Sequence, residues 1–220
     1  CNRHRPRRLC GADGNVIKAA KRPPVKVEIS ADEAASSPAA ANMRPCSEEG
    51  FHMVDYGFVG DVKAESVDAA FVYSLLERGI VPVFNAINHD GNGNLLNTNA
   101  DTIASSVAMA MAGYKYRSRR DVCSACEDCI HCSDDGRLTH EVELIYCFEK
   151  DGVLYDKDDD NSVIPEIDKE RFAELKAEGR VADGMIPKLA NSFKAIDSGV
   201  ARVVIKHACN LLNNKGTILI

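Results

Sequence analysis

A chain of 220 residues, 45% of them hydrophobic and 27% charged, can bury one sizeable core, and its formal net charge of -6 argues against a surface for nucleic acid or anionic lipid, which needs clustered Lys and Arg. The short basic run at residues 3–8 is too small to reverse that balance. No apolar stretch approaches the roughly 20 residues of a membrane span, and no secretory pattern opens the chain, so a cytoplasmic location is expected.

Nine cysteines are an odd number. Four of them stand at Cys123, Cys126, Cys129 and Cys132, so reduced thiols fit better than a paired disulfide framework. The chain opens at Cys1, and its first residues do not read as the start of a folded unit. A partial single domain is expected over residues 1–220.

In chain order, residues 28–47 are rich in Ala, Ser and Pro with little apolar periodicity and read as an insertion. Residues 66–79 carry Val67, Ala70, Phe71 and Leu75 at helical spacing and close on Gly79, suited to the position just past a helix. Residues 80–86 read as a buried strand. Ile103, Val107, Ala110 and Met111 mark a second helix, and residues 113–140, polar and Cys-rich, a second insertion. Residues 142–148, β-branched and aromatic, predict a strand. Phe172 and Leu175 lie on a third helix; Leu189, Phe193 and Ile196 lie on a fourth that Gly199 ends. Residues 201–206 and 217–220 predict the last strands. Helices alternating with short apolar strands imply an α/β fold with a mainly parallel sheet covered on both faces.

Ligands in such folds sit beyond the C-terminal ends of strands and at helix N-termini. Three junctions carry suitable residues. Asn97-Thr98-Asn99-Ala100-Asp101 opens the second helix. Helix capping explains one of its polar residues; two carboxamides and a carboxylate within five residues also make a substrate-holding cluster. Asp183-Gly184-Met185-Ile186-Pro187-Lys188 opens the fourth helix. A Lys there opposes the helix dipole unless an anion is shared, so Lys188 is either part of an anion site or a solvated surface residue. Tyr146-Cys147-Phe148-Glu149-Lys150-Asp151-Gly152-Val153-Leu154, where a buried strand runs into a polar Gly-containing turn, is the weakest of the three signals.

Taken together and in order, Asp55-Tyr-Gly-Phe-Val-Gly-Asp-Val, Leu95-Leu-Asn-Thr-Asn-Ala-Asp-Thr-Ile-Ala, Cys147-Phe-Glu-Lys-Asp-Gly-Val and Gly184-Met-Ile-Pro-Lys resemble the acylglutamate-phosphorylating branch of the amino acid kinase family. The segment from Gly11 to Ile17 resembles the stretch that precedes them. The resemblance implies a three-layer αβα sandwich of the carbamate kinase type, incomplete at its N-terminus. It implies transfer of phosphate from ATP, with Mg²⁺, to the side-chain carboxylate of an N-acetyl- or N-succinylglutamate in arginine biosynthesis. By position, Asn97 matches the residue that contacts the acylglutamate, and Asn99 belongs to the same substrate-side string. Asp101 matches the carboxylate that positions the catalytic lysines, and Lys188 the lysine that stabilises the transferring phosphoryl group. Phe148, Glu149, Lys150, Asp151 and Gly152, with Arg180, Val181, Ala182 and Gly184, match segments that surround ATP. A homo-oligomer is implied for the complete protein.

The sequence departs from the family where the family begins. It lacks the strand ending in a Lys and Gly-Gly phosphate loop, the second Gly-rich loop and the Arg that holds the substrate carboxylate, so turnover by the 220 residues alone is not expected. Cys123, Cys126, Cys129 and Cys132, with His131 and His140 nearby, could bind zinc or an iron-sulfur cluster, although four Cys in ten residues strain to reach one tetrahedral ion. A metal-free insertion is the alternative. Two rival functions stay open: a non-catalytic metal-binding or regulatory chain derived from a kinase, and a carbamate, aspartate or glutamate kinase.

Overall fold

The computed structural model describes residues 5–28, 51–115, 141–156, 158–180 and 185–220. All but the first few residues of the two expected insertions, with the four-cysteine cluster inside the second, lie outside the described residues. In chain order the elements are β1 (Arg5–Leu9), β2 (Ile17–Lys21), β3 (Val25–Glu28), β4 (Phe51–Val54), β5 (Gly60–Val67), α1 (Ala69–Glu77), β6 (Ile80–Phe84), β7 (Ile87–His89) and β8 (Leu95–Asn97). There follow α2 (Ala100–Gly113), β9 (Glu143–Phe148), β10 (Glu166–Ile167), α3 (Lys169–Ala177), α4 (Met185–Asp197), β11 (Arg202–His207) and β12 (Thr217–Leu219).

The α/β class is as expected, and the strand pairing is mixed. β1 runs parallel to β6, β2 to β7, β9 to β11 and β10 to β12. Antiparallel pairs join β2 to β5, β3 to β4, β7 to β8 and β11 to β12. The described strands form four separate sheets, ordered β1-β6, β10-β12-β11-β9, β5-β2-β7-β8 and β3-β4, and the pairing of β11 with β12 shows why the second of them is not uniform. Nine residues separate β11 from β12, fewer than the dozen or so that a crossover back to a parallel neighbour requires.

Three local expectations are corrected. Residues 5–9 form a strand, pairing residue by residue with Ile80–Phe84. Val67 ends β5 and does not open the helix: it pairs with Ile17 of β2 across a shift of register, and the chain turns only at Asp68, whose carboxylate accepts the Phe71 N–H at 2.9 Å. Such a cap is worth about 1 kcal/mol. β6 is not buried on both faces, since Val81 and Val83 are 40% and 47% exposed.

Two apolar clusters hold the elements together. One gathers Leu144 and Tyr146 of β9, Val203 and Ile205 of β11, Leu175 of α3 and Leu189 and Phe193 of α4. The other gathers Ile17, Val62, Val72, Tyr73 and Leu96. Fully burying side chains of this size contributes about 1.5–3 kcal/mol each. α2 serves both, giving Ala108 to the first and Ile103 and Met111 to the second. Tyr73 ties α1 to the far end of α2 by donating to the Met111 carbonyl at 3.1 Å. The position of α2 is therefore set from both sides, which fixes the residues at its N-terminus.

Candidate functional site

Two helix N-termini meet at the C-terminal end of β9. At the first, the Asn99 side-chain oxygen accepts the N–H groups of Asp101 and Thr102 at 2.8 and 3.3 Å, which starts α2 and aims Asp101 out of its first turn. At the second, Lys188 sits in the first turn of α4. Its Nζ lies 3.2 Å from Asp101 Oδ2. The Lys188 side chain is only 15% exposed, against 42% for Asp101, so the solvated-surface alternative does not hold.

β9 supplies the floor. Tyr146 and Phe148 are two residues apart and so project from the same face. The Lys188 ammonium lies 5.4 Å from the Tyr146 ring centre and 5.0 Å from that of Phe148. Ring faces are electron-rich and attract a cation. The Tyr146 hydroxyl donates to the Asp101 backbone carbonyl at 3.2 Å. Burial pushes the Tyr146 phenol above its ordinary range; the Asp101 carboxylate adds to the rise and a hydrogen bond with Ser105 opposes it. A cation at a helix N-terminus, unfavourable by itself, is thus held by one carboxylate and two rings.

Asn97 ends β8. Its backbone N–H donates to the Phe58 carbonyl at 2.8 Å, and among the described residues its exposed carboxamide has no hydrogen-bond partner. Asn99 is divided: its oxygen is taken by the cap, while its amide nitrogen has no partner among the described residues. Between β5, α2 and α4, starting one residue past Asp101, lies a groove of about 380 Å³ lined by Lys63, Thr102, Ser105, Asn191 and Lys194 among others.

The turn after β9 is built from several distinct contacts. Phe148 is half-buried under Lys188 and Glu149 is exposed. Lys150 pairs with Asp160 at 2.7 Å, and Asp151 accepts from the Asn210 side chain at 2.8 Å. Gly152 is required by packing: a Cβ there would stand 2.6 Å from Thr217 Oγ1 and 2.8 Å from Val163 Cγ1. Arg180 follows α3, exposed, with its guanidinium 5.0 Å from the Tyr155 ring. Val181, Ala182 and Gly184 lie outside the described residues.

Sequence reasoning placed Tyr146 in the third junction but gave it no role, and it missed Asn210 and the buried Lys206. Strand alternation alone could have put Tyr146 beside Phe148; no local signal marks the other two. Among the described residues no group of three or more His, Cys, Asp or Glu could hold a metal ion, and no helix is long and apolar enough to cross a membrane.

Over the strand end where the two helix N-termini meet, residues 141–207 match the model of the amino acid kinase family. The chain is a relative of acetylglutamate kinases: it is 43% identical over 211 residues to the acetylglutamate kinase of Phocaeicola vulgatus, across 96% of this chain and 61% of that protein. It thus spans about three fifths of the length of the relatives it matches. Among solved structures, smu.665 from Streptococcus mutans superposes with a TM-score of 0.58 at 22% identity, covering 98% of this chain and 60% of that one. Giardia carbamate kinase gives 0.52 at 13% identity over 98% and 62%.

Proposed function

We propose that the complete protein transfers the γ-phosphoryl group of ATP to the side-chain carboxylate of an N-acylated glutamate. A carboxylate oxygen attacks the γ-phosphorus, the bond to the β–γ bridging oxygen breaks, and ADP leaves with the electron pair, giving an acyl phosphate. The observation that carries this reading is the Asp101–Lys188 pair at the joined N-termini of α2 and α4, on a chain 43% identical to a relative named acetylglutamate kinase. Phosphoryl transfer asks a protein mainly for positioning and neutralisation of charge on the equatorial oxygens. Lys188 supplies the charge. Asp101 holds that ammonium in place, and the two rings keep it in a partly dry setting where its field is less screened.

The unpartnered carboxamide of Asn97, and the amide nitrogen of Asn99, face the acylglutamate in this reading. The turn from Phe148 to Gly152, with Arg180, Val181, Ala182 and Gly184, forms the nucleotide side. Mg²⁺ would arrive with the nucleotide and neutralise its phosphates, since such ions are bound largely through substrate oxygens and water. The complete protein is proposed to act in the cytoplasm, in arginine biosynthesis, as a homo-oligomer. The 220 residues by themselves are proposed to lack turnover. The test is ADP release by the protein with its preceding segment, assayed with N-acetylglutamate, N-succinylglutamate, glutamate, aspartate and carbamate in turn. Turnover with either acylglutamate and not with the other three supports the reading; turnover with carbamate, aspartate or free glutamate alone refutes it.

A further inference from the structure

Two turns stand side by side beyond the ends of β9 and β11. The strands pair in parallel with Lys206 beside Cys147 and His207 beside Phe148, so the loop that follows β11 lies against the turn that follows β9. Lys206, the penultimate residue of β11, is 7% exposed. Unlike Lys188 it has no ion-pair partner among the described residues. Its ammonium donates to the backbone carbonyls of Asn213 at 2.9 Å and Asn210 at 3.3 Å. Burying a cation without a counter-charge is costly and persists where carbonyl oxygens replace its water.

The bonds continue outward from there. Asn210, itself 9% exposed, accepts from the Asn213 side chain at 2.8 Å and donates to the Asp151 carboxylate at 2.8 Å. Gly216 lets the returning chain lie over Lys206: with φ 140°, it leaves a position where a Cβ would be 2.9 Å from the Lys206 Cβ. A buried charge at the end of β11 is thus linked, through one asparagine, to the middle of the 148–152 turn. An apolar residue at 206 would leave the Asn213 carbonyl without a donor, the Asn210 carbonyl with only the Asn213 N–H at 3.1 Å, and the loop without a fixed height above the sheet.

We propose that Lys206 is a positioning residue for the nucleotide side of the site: it gathers the loop carbonyls and so sets Asn210 where it holds Asp151, making the 148–152 turn and the 208–215 loop one wall. The proposal rests on the reading of the 148–152 turn as the nucleotide side. Lys206 acts through Asn210 and touches no substrate.

The test compares the parent protein with Lys206→Met, Lys206→Arg, Asn210→Ala and the Lys206→Met/Asn210→Ala double variant. Amide hydrogen exchange is measured without nucleotide, and Mg·ATP affinity by calorimetry. Lys206→Met is expected to speed exchange at residues 149–153 and 208–215 while the amides of α2 and α4 keep their rates, and to weaken Mg·ATP by about tenfold, within the usual range for coupled sites. Lys206→Arg should restore part of both. Asn210→Ala should release 149–153, and its addition to Lys206→Met should add nothing there. The proposal is overturned if exchange at 149–153 is unchanged in a folded Lys206→Met protein, if only 208–215 responds, or if protection falls uniformly through the chain. If 149–153 responds but the parent binds no Mg·ATP, it is the nucleotide reading that fails.

Discussion

Replacing Lys188 with Met separates the charge of this residue from its packing. The Met side chain is of similar length and can still lie against Tyr146 and Phe148, where its sulfur makes favourable ring contacts; the ammonium 3.2 Å from Asp101 is gone. The stability cost should be small. Asp101 is 42% exposed, so water screens the ion pair and rehydrates the carboxylate when the lysine is removed, limiting the loss to about 1 kcal/mol or less. The cation–ring contacts add about 0.5–1 kcal/mol. A total of about 0.5–2 kcal/mol corresponds to a fall in Tm of roughly 1–8 °C for a chain of this size. The catalytic cost should be far larger, because removing one preorganised charge at a reacting centre typically lowers turnover by about 10²–10³-fold. Since the contact strengthens as charge develops on the phosphoryl oxygens, kcat should fall with little change in KM for the acylglutamate. The assay is coupled ADP release by the complete protein, with melting followed by circular dichroism. A folded Lys188→Met protein whose kcat stays within a few-fold of the parent's would refute the reasoning. A rise in KM alone would assign Lys188 to ground-state binding instead. Asp101→Asn should show the same split, with the Asn99 cap still in place.

Gly152→Ala should destabilise by about 1–3 kcal/mol, read as a lower urea midpoint, because the added methyl meets Thr217 and Val163 at 2.6 and 2.8 Å; an unchanged midpoint would show that the turn does not pack as described. Tyr146→Phe tests burial through alkaline stability. The raised Tyr146 phenol keeps its proton longer in the folded than in the unfolded chain, so its contribution is fully present below pH about 10 and is lost as pH climbs toward the folded value. The stability difference between parent and Phe variant should therefore shrink above about pH 10, and parallel curves would contradict it. If Cys123, Cys126, Cys129 and Cys132 bind metal, purified protein should carry near-stoichiometric zinc or iron that substitution of all four by Ser removes; metal-free protein of equal stability would leave that segment a metal-free insertion.

By itself the sequence determined the helices and the positions of the candidate residues within them. α2 and α4 were legible because Ile103, Met111, Leu189 and Phe193 recur at the helical period, and their first turns because Asn and Asp before an apolar run, or Gly and Pro ahead of a Lys, are local signals. The roles proposed for Asn97, Asp101 and Lys188 came from another source, the resemblance of short strings in a fixed order to a known family. What sequence could not decide was pairing. β1 exists as a strand because β6 gives its backbone partners 75 residues later in the chain, and Val67 closes β5 instead of opening α1 because β2 lies alongside it. Nor could it decide burial. Lys188 and Lys206 look alike as letters, yet one is held by a carboxylate and two rings from other elements, and the other by two loop carbonyls. Helical period and capping act over a few residues and are written locally; a lysine's partner and its distance from water depend on which distant segments fold over it, and only the tertiary structure brings those together.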